Sequence, residues 1–262
     1  TWNVTDALSL NGGIRYTDEK KTYKYVRRSP EGGPPPAALA SLDGKVGVSA
    51  GDKVDYRIAL QYRWNDQVMT YAQFATGYKG GGVNPRPFYA QQVLPFGPET
   101  LQSWEAGIKT DLFDRRLRLN VAGFFSKYDD IQLTLTNCTV QAGDGFGAPC
   151  ALPVNAGKAE MKGIEVETTI EPVDGFLIDG ALAYLDFDYK SFASFATPGG
   201  GTVAVGGPTN INAPQFGDYP AFTPAWKWSL GAQYQIDLGG NAGSITPRVD
   251  AAYQGKLYAN AT

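Results

Sequence analysis

The sequence predicts an all-β, antiparallel transmembrane β-barrel, and three observations carry that reading. Apolar and polar residues alternate with a period of two over segments long enough to cross a bilayer, which takes about 9 to 11 residues per tilted strand. Connections alternate between short turns and long Gly/Pro-rich stretches, as in a barrel with short periplasmic turns and long extracellular loops. The polar positions carry ions, which are costly to bury in a small dry core but are accommodated by a wide hydrated or plugged lumen.

Taken in chain order, the first strand runs from Leu8 to about Tyr25, with Leu8, Leu10, Ile14 and Tyr16 set against Ser9, Asn11, Arg15 and Thr17. From Val54 the set Val54, Tyr56, Ile58, Leu60, Tyr62 and Trp64 alternates with Asp55, Arg57, Ala59, Gln61 and Arg63. A turn at Asn65 and Asp66 returns the chain into Val68 to Lys79, since Asn and Asp tolerate the positive φ that a tight hairpin demands. Trp104, Ala106, Ile108, Thr110 and Leu112 form the next apolar row, opposite Glu105, Gly107, Lys109 and Asp111. Beyond a turn at Asp114 to Arg116 the chain returns through Leu117, Leu119, Val121, Gly123 and Phe125, and the pattern continues through Ile131, Leu133 and Leu135. A third hairpin joins Met161–Ile170 to Phe176–Tyr189 across Pro172 to Gly175. A fourth joins the strand of Trp226, Trp228, Leu230, Ala232, Tyr234 and Ile236 to Ile245–Gln254. These make about nine long strands. The long stretches fall at 27–52, 80–102, 137–157 and 190–222.

Arg57, Arg63, Glu105, Lys109, Arg118, Glu165, Glu167, Lys227 and Arg248 all fall on the polar set and are expected inside. Tyr62, Trp64, Trp104, Trp226 and Trp228 fall on the apolar set, where they read as belts at the membrane interfaces. A sugar-stacking platform is the other reading of these rings. Asp129, Asp130, Asp186 and Asp188 read as surface carboxylates rather than a calcium site. No metal and no cofactor is expected.

Composition removes several functions. The chain has no histidine, so Ser-His triads and HExxH zinc sites are excluded and no enzymatic activity is expected. A net charge of -3 with no dense Lys/Arg run gives no field for nucleic acid. No Gly-Lys pair completes a phosphate-binding loop. Cys138 and Cys150 bracket a Gly-rich loop and read as a local disulfide in an oxidising compartment, against the plainer reading of two unpaired thiols.

Four ordered motifs carry a family resemblance. Tyr71 to Asn84 reads YAQFATGYKGGGVN, and Pro98 to Leu133 reads PETLQSWEAGIKTDLFDRRLRLNVAGFFSKYDDIQL. Asn155 to Glu167 reads NAGKAEMKGIEVE, and Gly12 to Lys21 reads GGIRYTDEKK. In order and spacing these resemble barrel strands of the TonB-dependent receptors, over most of the chain. The resemblance implies a barrel of about 22 strands in the bacterial outer membrane, of which this chain is a single partial domain of about two fifths of the wall. The N-terminal plug and the final strands are expected to lie outside residues 1–262. It further implies energised import of a nutrient: a ferric siderophore, or cobalamin or an oligosaccharide. The partners implied are the TonB–ExbB–ExbD complex, reached through the missing N-terminal part, outer-membrane lipid and lipopolysaccharide, and the small-molecule ligand. A passive porin-type channel and a secreted β-rich carbohydrate-binding module are the alternatives.

Ligand contacts in such receptors belong to the extracellular loops. Arg86, Phe88, Tyr89 and Gln91 combine cation, aromatic and amide groups after the triple glycine, and Asp144 and Phe146 lie at the tip of the loop bounded by the cysteines. Ordinary loop packing, with Arg86 paired to a neighbouring carboxylate, is the plainer reading of the first group; shielding against proteases is that of the second.

Overall fold

A computed structural model describes residues 1–35, 40–135, 151–192, 194–196, 202–204, 220, 222–240 and 242–258. Among these, one antiparallel sheet of ten strands dominates, and all but the two-residue piece Trp2–Asn3 are long. We number the long strands β1 (Leu8–Lys24), β2 (Val46–Arg63), β3 (Val68–Lys79), β4 (Glu99–Leu112), β5 (Leu117–Asp129), β6 (Gly157–Val173), β7 (Phe176–Phe192), β8 (Trp226–Tyr234) and β9 (Arg248–Gln254). Each pairs with its sequence neighbours, and the two edges of the sheet are not joined. It is an up-and-down meander, the pattern of a barrel wall laid open.

The short turns are held locally. At the β2–β3 turn the Trp64 N–H donates to the Val68 carbonyl at 2.9 Å and the Gln67 N–H to Asn65 Oδ1 at 2.8 Å. Between β4 and β5 the chain reverses through Phe113, Asp114 and Arg115, all at positive φ. Gly175, at φ 82°, closes the β6–β7 turn where a side chain would be strained.

Register places the alternation on two faces as expected. Leu60, Ala72, Ala106, Gly123, Ile164 and Tyr184 lie in one row across six strands, on the same face as Tyr62, Ile108, Trp228 and Leu230. Large apolar side chains on this face stand open: Ile14 is 79% and Val249 75% exposed. Nothing among the described residues covers them, so no second sheet packs here, and lipid is the solvent that makes such a surface stable. That argues against the carbohydrate-binding sandwich.

The nine expected lumenal ions share the opposite face, where charge is matched at close range. Arg15 meets Asp55 at 2.9 Å, Arg118 meets Asp111 at 2.7 Å, and Arg248 meets Asp179 at 2.7 Å. The Tyr71 hydroxyl donates to Glu105 at 2.7 Å.

Three expectations need correction. β2 begins at Val46, so the first long loop is shorter than 27–52: above Val54 the ladder to β1 continues after the apolar alternation has ended. β4 likewise begins at Glu99. Ile131 to Leu135 does not extend the wall. β5 ends at Asp129, Asp130 takes φ 57°, and Gln132–Leu135 pairs instead with Leu152–Asn155 as a separate hairpin. Its apolar residues pack on the lumenal face of the wall, where Ile131, Leu152, Val154, Ala156, Ala159 and Phe187 are buried together.

Candidate functional site

The extracellular rim is built by three connections that lock onto one another. β2 pairs with β3 only over Arg57–Arg63, so the β1–β2 ribbon stands free above it on that side. The β3–β4 loop fills the space beside the ribbon. A Cβ on Gly47 would lie 2.5 Å from Val83, so glycine is what allows this approach. Lys21 Nζ donates to the Gly81 carbonyl at 2.8 Å, and the buried Tyr25 hydroxyl donates to the Asn84 carbonyl at 2.6 Å. Burial pushes the Tyr25 phenol above its ordinary pKa, so it stays a donor throughout the physiological range.

Two buried amides shape the loop itself. Asn84 Nδ2 donates to the Gln92 carbonyl at 3.0 Å, and its Oδ1 accepts the Arg86 N–H at 3.0 Å. Gln92 Oε1 accepts the Phe88 N–H at 2.7 Å. On this frame Arg86 and Gln91 are exposed, while Phe88 and Tyr89 are half-buried. The four residues expected from the sequence are therefore brought together in one ordered loop, with the cation and the amide outermost. Cys138, Asp144, Phe146 and Cys150 lie outside the described residues.

Gln132 and Asn155, cross-strand partners at the base of the inward hairpin, tie it to the same loop. Gln132 Nε2 donates to the carbonyls of Gly80 at 3.1 Å and Gly97 at 3.0 Å. Asn155 Oδ1 accepts the Gly97 N–H at 2.6 Å, while its Nδ2 donates to the carbonyls of Gly97 at 3.0 Å and Asp130 at 2.9 Å. The β1–β2 loop joins through Arg27, whose guanidinium donates to the Pro87 carbonyl at 3.3 Å. Asp43 fixes that loop. It accepts the Arg27 N–H at 2.9 Å and ion-pairs with Arg28 at 2.8 Å, and these hydrogen bonds hold its carboxyl below the usual carboxylate range. Sequence reasoning missed Asn84, Gln92, Gln132 and Asn155 as positioning residues, although Asn84, Gln132 and Asn155 lie within the quoted motifs.

Three of the four aspartates weighed as a calcium site are engaged with lysines: Asp129 with Lys158 at 3.0 Å, Asp186 with Lys162 at 3.1 Å and Asp188 with Lys190 at 2.5 Å.

A family model described as TonB dependent receptor-like, beta-barrel matches residues 1–262. The pesticin receptors of Yersinia enterocolitica and Yersinia pestis are each 28% identical over 169 residues, 64% of this chain and 22% of theirs. Among solved structures, the ferric yersiniabactin uptake receptor FyuA from Yersinia pestis superposes with a TM-score of 0.69 at 21% identity, covering 99% of this chain and 33% of that one. The siderophore receptor PiuA from Acinetobacter baumannii gives 0.67 at 18% identity, over 98% of this chain and 32% of its own. The chain thus spans between 22% and 33% of the length of these proteins. With the whole chain matched, the open meander of long strands, its lipid-facing alternation and its ionic inner face have one account: this chain belongs to the TonB-dependent receptor family and forms part of its outer-membrane β-barrel wall.

Proposed function

We propose that the protein containing this wall imports a ferric siderophore across the outer membrane, energised by TonB, ExbB and ExbD, and performs no enzymatic step. The observation that carries the reading is the β3–β4 loop, where a frame of buried Asn84 and Gln92 sets out Arg86 and Gln91 above half-buried Phe88 and Tyr89. A guanidinium beside aromatic and amide groups suits an anionic, ring-bearing chelate. The siderophore receptors among its structural relatives support the same cargo class over cobalamin or an oligosaccharide.

The test is uptake of radiolabelled ferric siderophores by cells expressing the complete receptor, with and without TonB, together with equilibrium binding to the purified receptor. Arg86→Ala is expected to weaken binding about tenfold, the loss of one charge-assisted hydrogen bond. Uptake that persists without TonB would overturn the transport reading, and unchanged binding by Arg86→Ala would remove that residue from the site.

A further inference from the structure

A guanidinium at the rim is held without a carboxylate. Arg27 continues the inward alternation of Lys21, Tyr23 and Tyr25 beyond the end of β1, and lies half-buried against the β3–β4 loop. Its guanidinium donates to the Pro87 carbonyl at 3.3 Å and the Val26 carbonyl at 3.4 Å, and stands 6.0 Å from the centre of the Tyr25 ring. None of these partners is charged. Asp43, the carboxylate beside it, takes the Arg27 backbone N–H on one oxygen and the Arg28 guanidinium on the other. A guanidinium partly withdrawn from water against neutral groups keeps spare donors and favours an anion.

Arg86 immediately precedes Pro87, so Arg27 reaches across from the β1–β2 loop to within one residue of it. Arg86 is exposed and, among the described residues, makes no ion pair. The surrounding charges do not cancel these two. Residues 24–45 carry Lys24, Arg27, Arg28 and Lys45 against Glu31 and Asp43, and residues 80–98 carry Arg86 with no carboxylate. At the feet of the loops Glu19 is 3.1 Å from Lys21 and Glu99 is 3.7 Å from Lys79, so neither adds free negative charge. Asp130, at the foot of the inward hairpin, brings one more carboxylate and still leaves the corner positive.

We infer, on the siderophore reading above, that Arg27 is a second ligand-binding residue and that with Arg86 it selects ferric chelates bearing free carboxylates over neutral ones. Two guanidiniums from two loops offer forks to two edges of one ligand, and a carboxylate accepts such a fork bidentately. Half-buried Phe88 and Tyr89, next on the same loop, supply the apolar contact. The Tyr25 hydroxyl on the Asn84 carbonyl fixes one loop against the other. The two cations are therefore set in place before the ligand arrives, which lowers the ordering cost of binding.

The complete receptor, purified in detergent, would be titrated with three ferric chelates: one bearing free carboxylates, a trianionic tris-catecholate and a neutral trihydroxamate. Quenching of tryptophan emission reports binding. The wild type is expected to bind the carboxylate chelate about tenfold more tightly than the neutral one, with the difference shrinking as salt rises. Arg27→Gln is expected to weaken the carboxylate chelate about tenfold and to flatten its salt dependence. Arg27→Lys, which keeps the charge without the fork, should retain the salt dependence and part of the affinity. Heat-dependent electrophoretic mobility checks that both variants fold. A residue that merely props the β3–β4 loop through Pro87 would lower affinity with the salt dependence intact, and that result would overturn the assignment of Arg27. Equal affinity of the wild type for the carboxylate and neutral chelates would overturn the selection, and tighter binding of the tris-catecholate would overturn the carboxylate class. Each of these failures leaves TonB-dependent siderophore uptake by intact cells standing, whereas absence of that uptake fails the transport reading itself.

Discussion

Placing an arginine on the lipid face tests the assignment of the two faces most directly. Leu230 is halfway along β8, between Trp226 at the extracellular belt and Tyr234 near the periplasmic end, and is 50% exposed on the apolar face. A rise of about 3.3 Å per residue and a tilt of about 45° give the stretch from Trp226 to Tyr234 about 19 Å of membrane height, which puts Leu230 close to the midplane. A guanidinium there costs about 2–4 kcal/mol, whereas one at a lumenal position costs little. Leu230→Arg should therefore shift the folding equilibrium about 30- to 900-fold towards the unfolded state. Ser229→Arg, one residue earlier, faces the lumen between Ala181 and Ala252 and should stay within about 0.5 kcal/mol of wild type. Denaturant titration of the receptor refolded into vesicles, with tryptophan emission as the signal, measures both. A smaller cost for Leu230→Arg than for Ser229→Arg would mean that the alternation does not distinguish lipid from lumen, and the barrel orientation would fall with it.

Other perturbations probe the rim and the wall. Asn155→Ala leaves the Gly97 N–H without its acceptor and should cost about 1–3 kcal/mol locally, seen as faster hydrogen exchange across 80–98 with the wall strands unchanged. Gly163→Ala would bring a Cβ within 2.4 Å of the Tyr184 carbonyl and 2.6 Å of the Phe124 ring, so assembly should be impaired by about 1–3 kcal/mol, read as loss of the heat-resistant compact band on gels. The Asp43 carboxyl is depressed in the folded protein, so its contribution is present above its unfolded pKa, near 3.8, and is lost as pH falls through the lower folded value. Protection of the Arg27 amide, normalised for intrinsic exchange, should hold at neutral pH and disappear below that range, and Asp43→Asn should lower it at neutral pH.

The parts legible in the sequence are those where the surroundings impose a repeating demand. Lipid on one side and water on the other force the alternation of Val54 to Trp64 and of Trp226 to Tyr234, so the strands could be found and their faces assigned from residue type alone. The demand ceases where the wall rises above the membrane. Asp18, Lys20 and Asp52 then occupy outward positions of β1 and β2, the pattern dissolves, and the hydrogen-bond ladder continues unmarked to Lys24 and Val46. The inward hairpin shows the opposite failure. Ile131 and Leu133 alternate as a wall strand does, because an apolar row bound for a buried patch inside the lumen obeys the same period as one bound for lipid. At the rim the legibility divides by role. Arg86 and Gln91 stand out as chemistry on a loop, but the loop's shape depends on Asn84, Gln92, Gln132 and Asn155, whose partners are mostly backbone carbonyls and N–H groups. A backbone partner leaves no residue type to recognise, and Asn155 and Gly97 are 58 positions apart, beyond any local pattern.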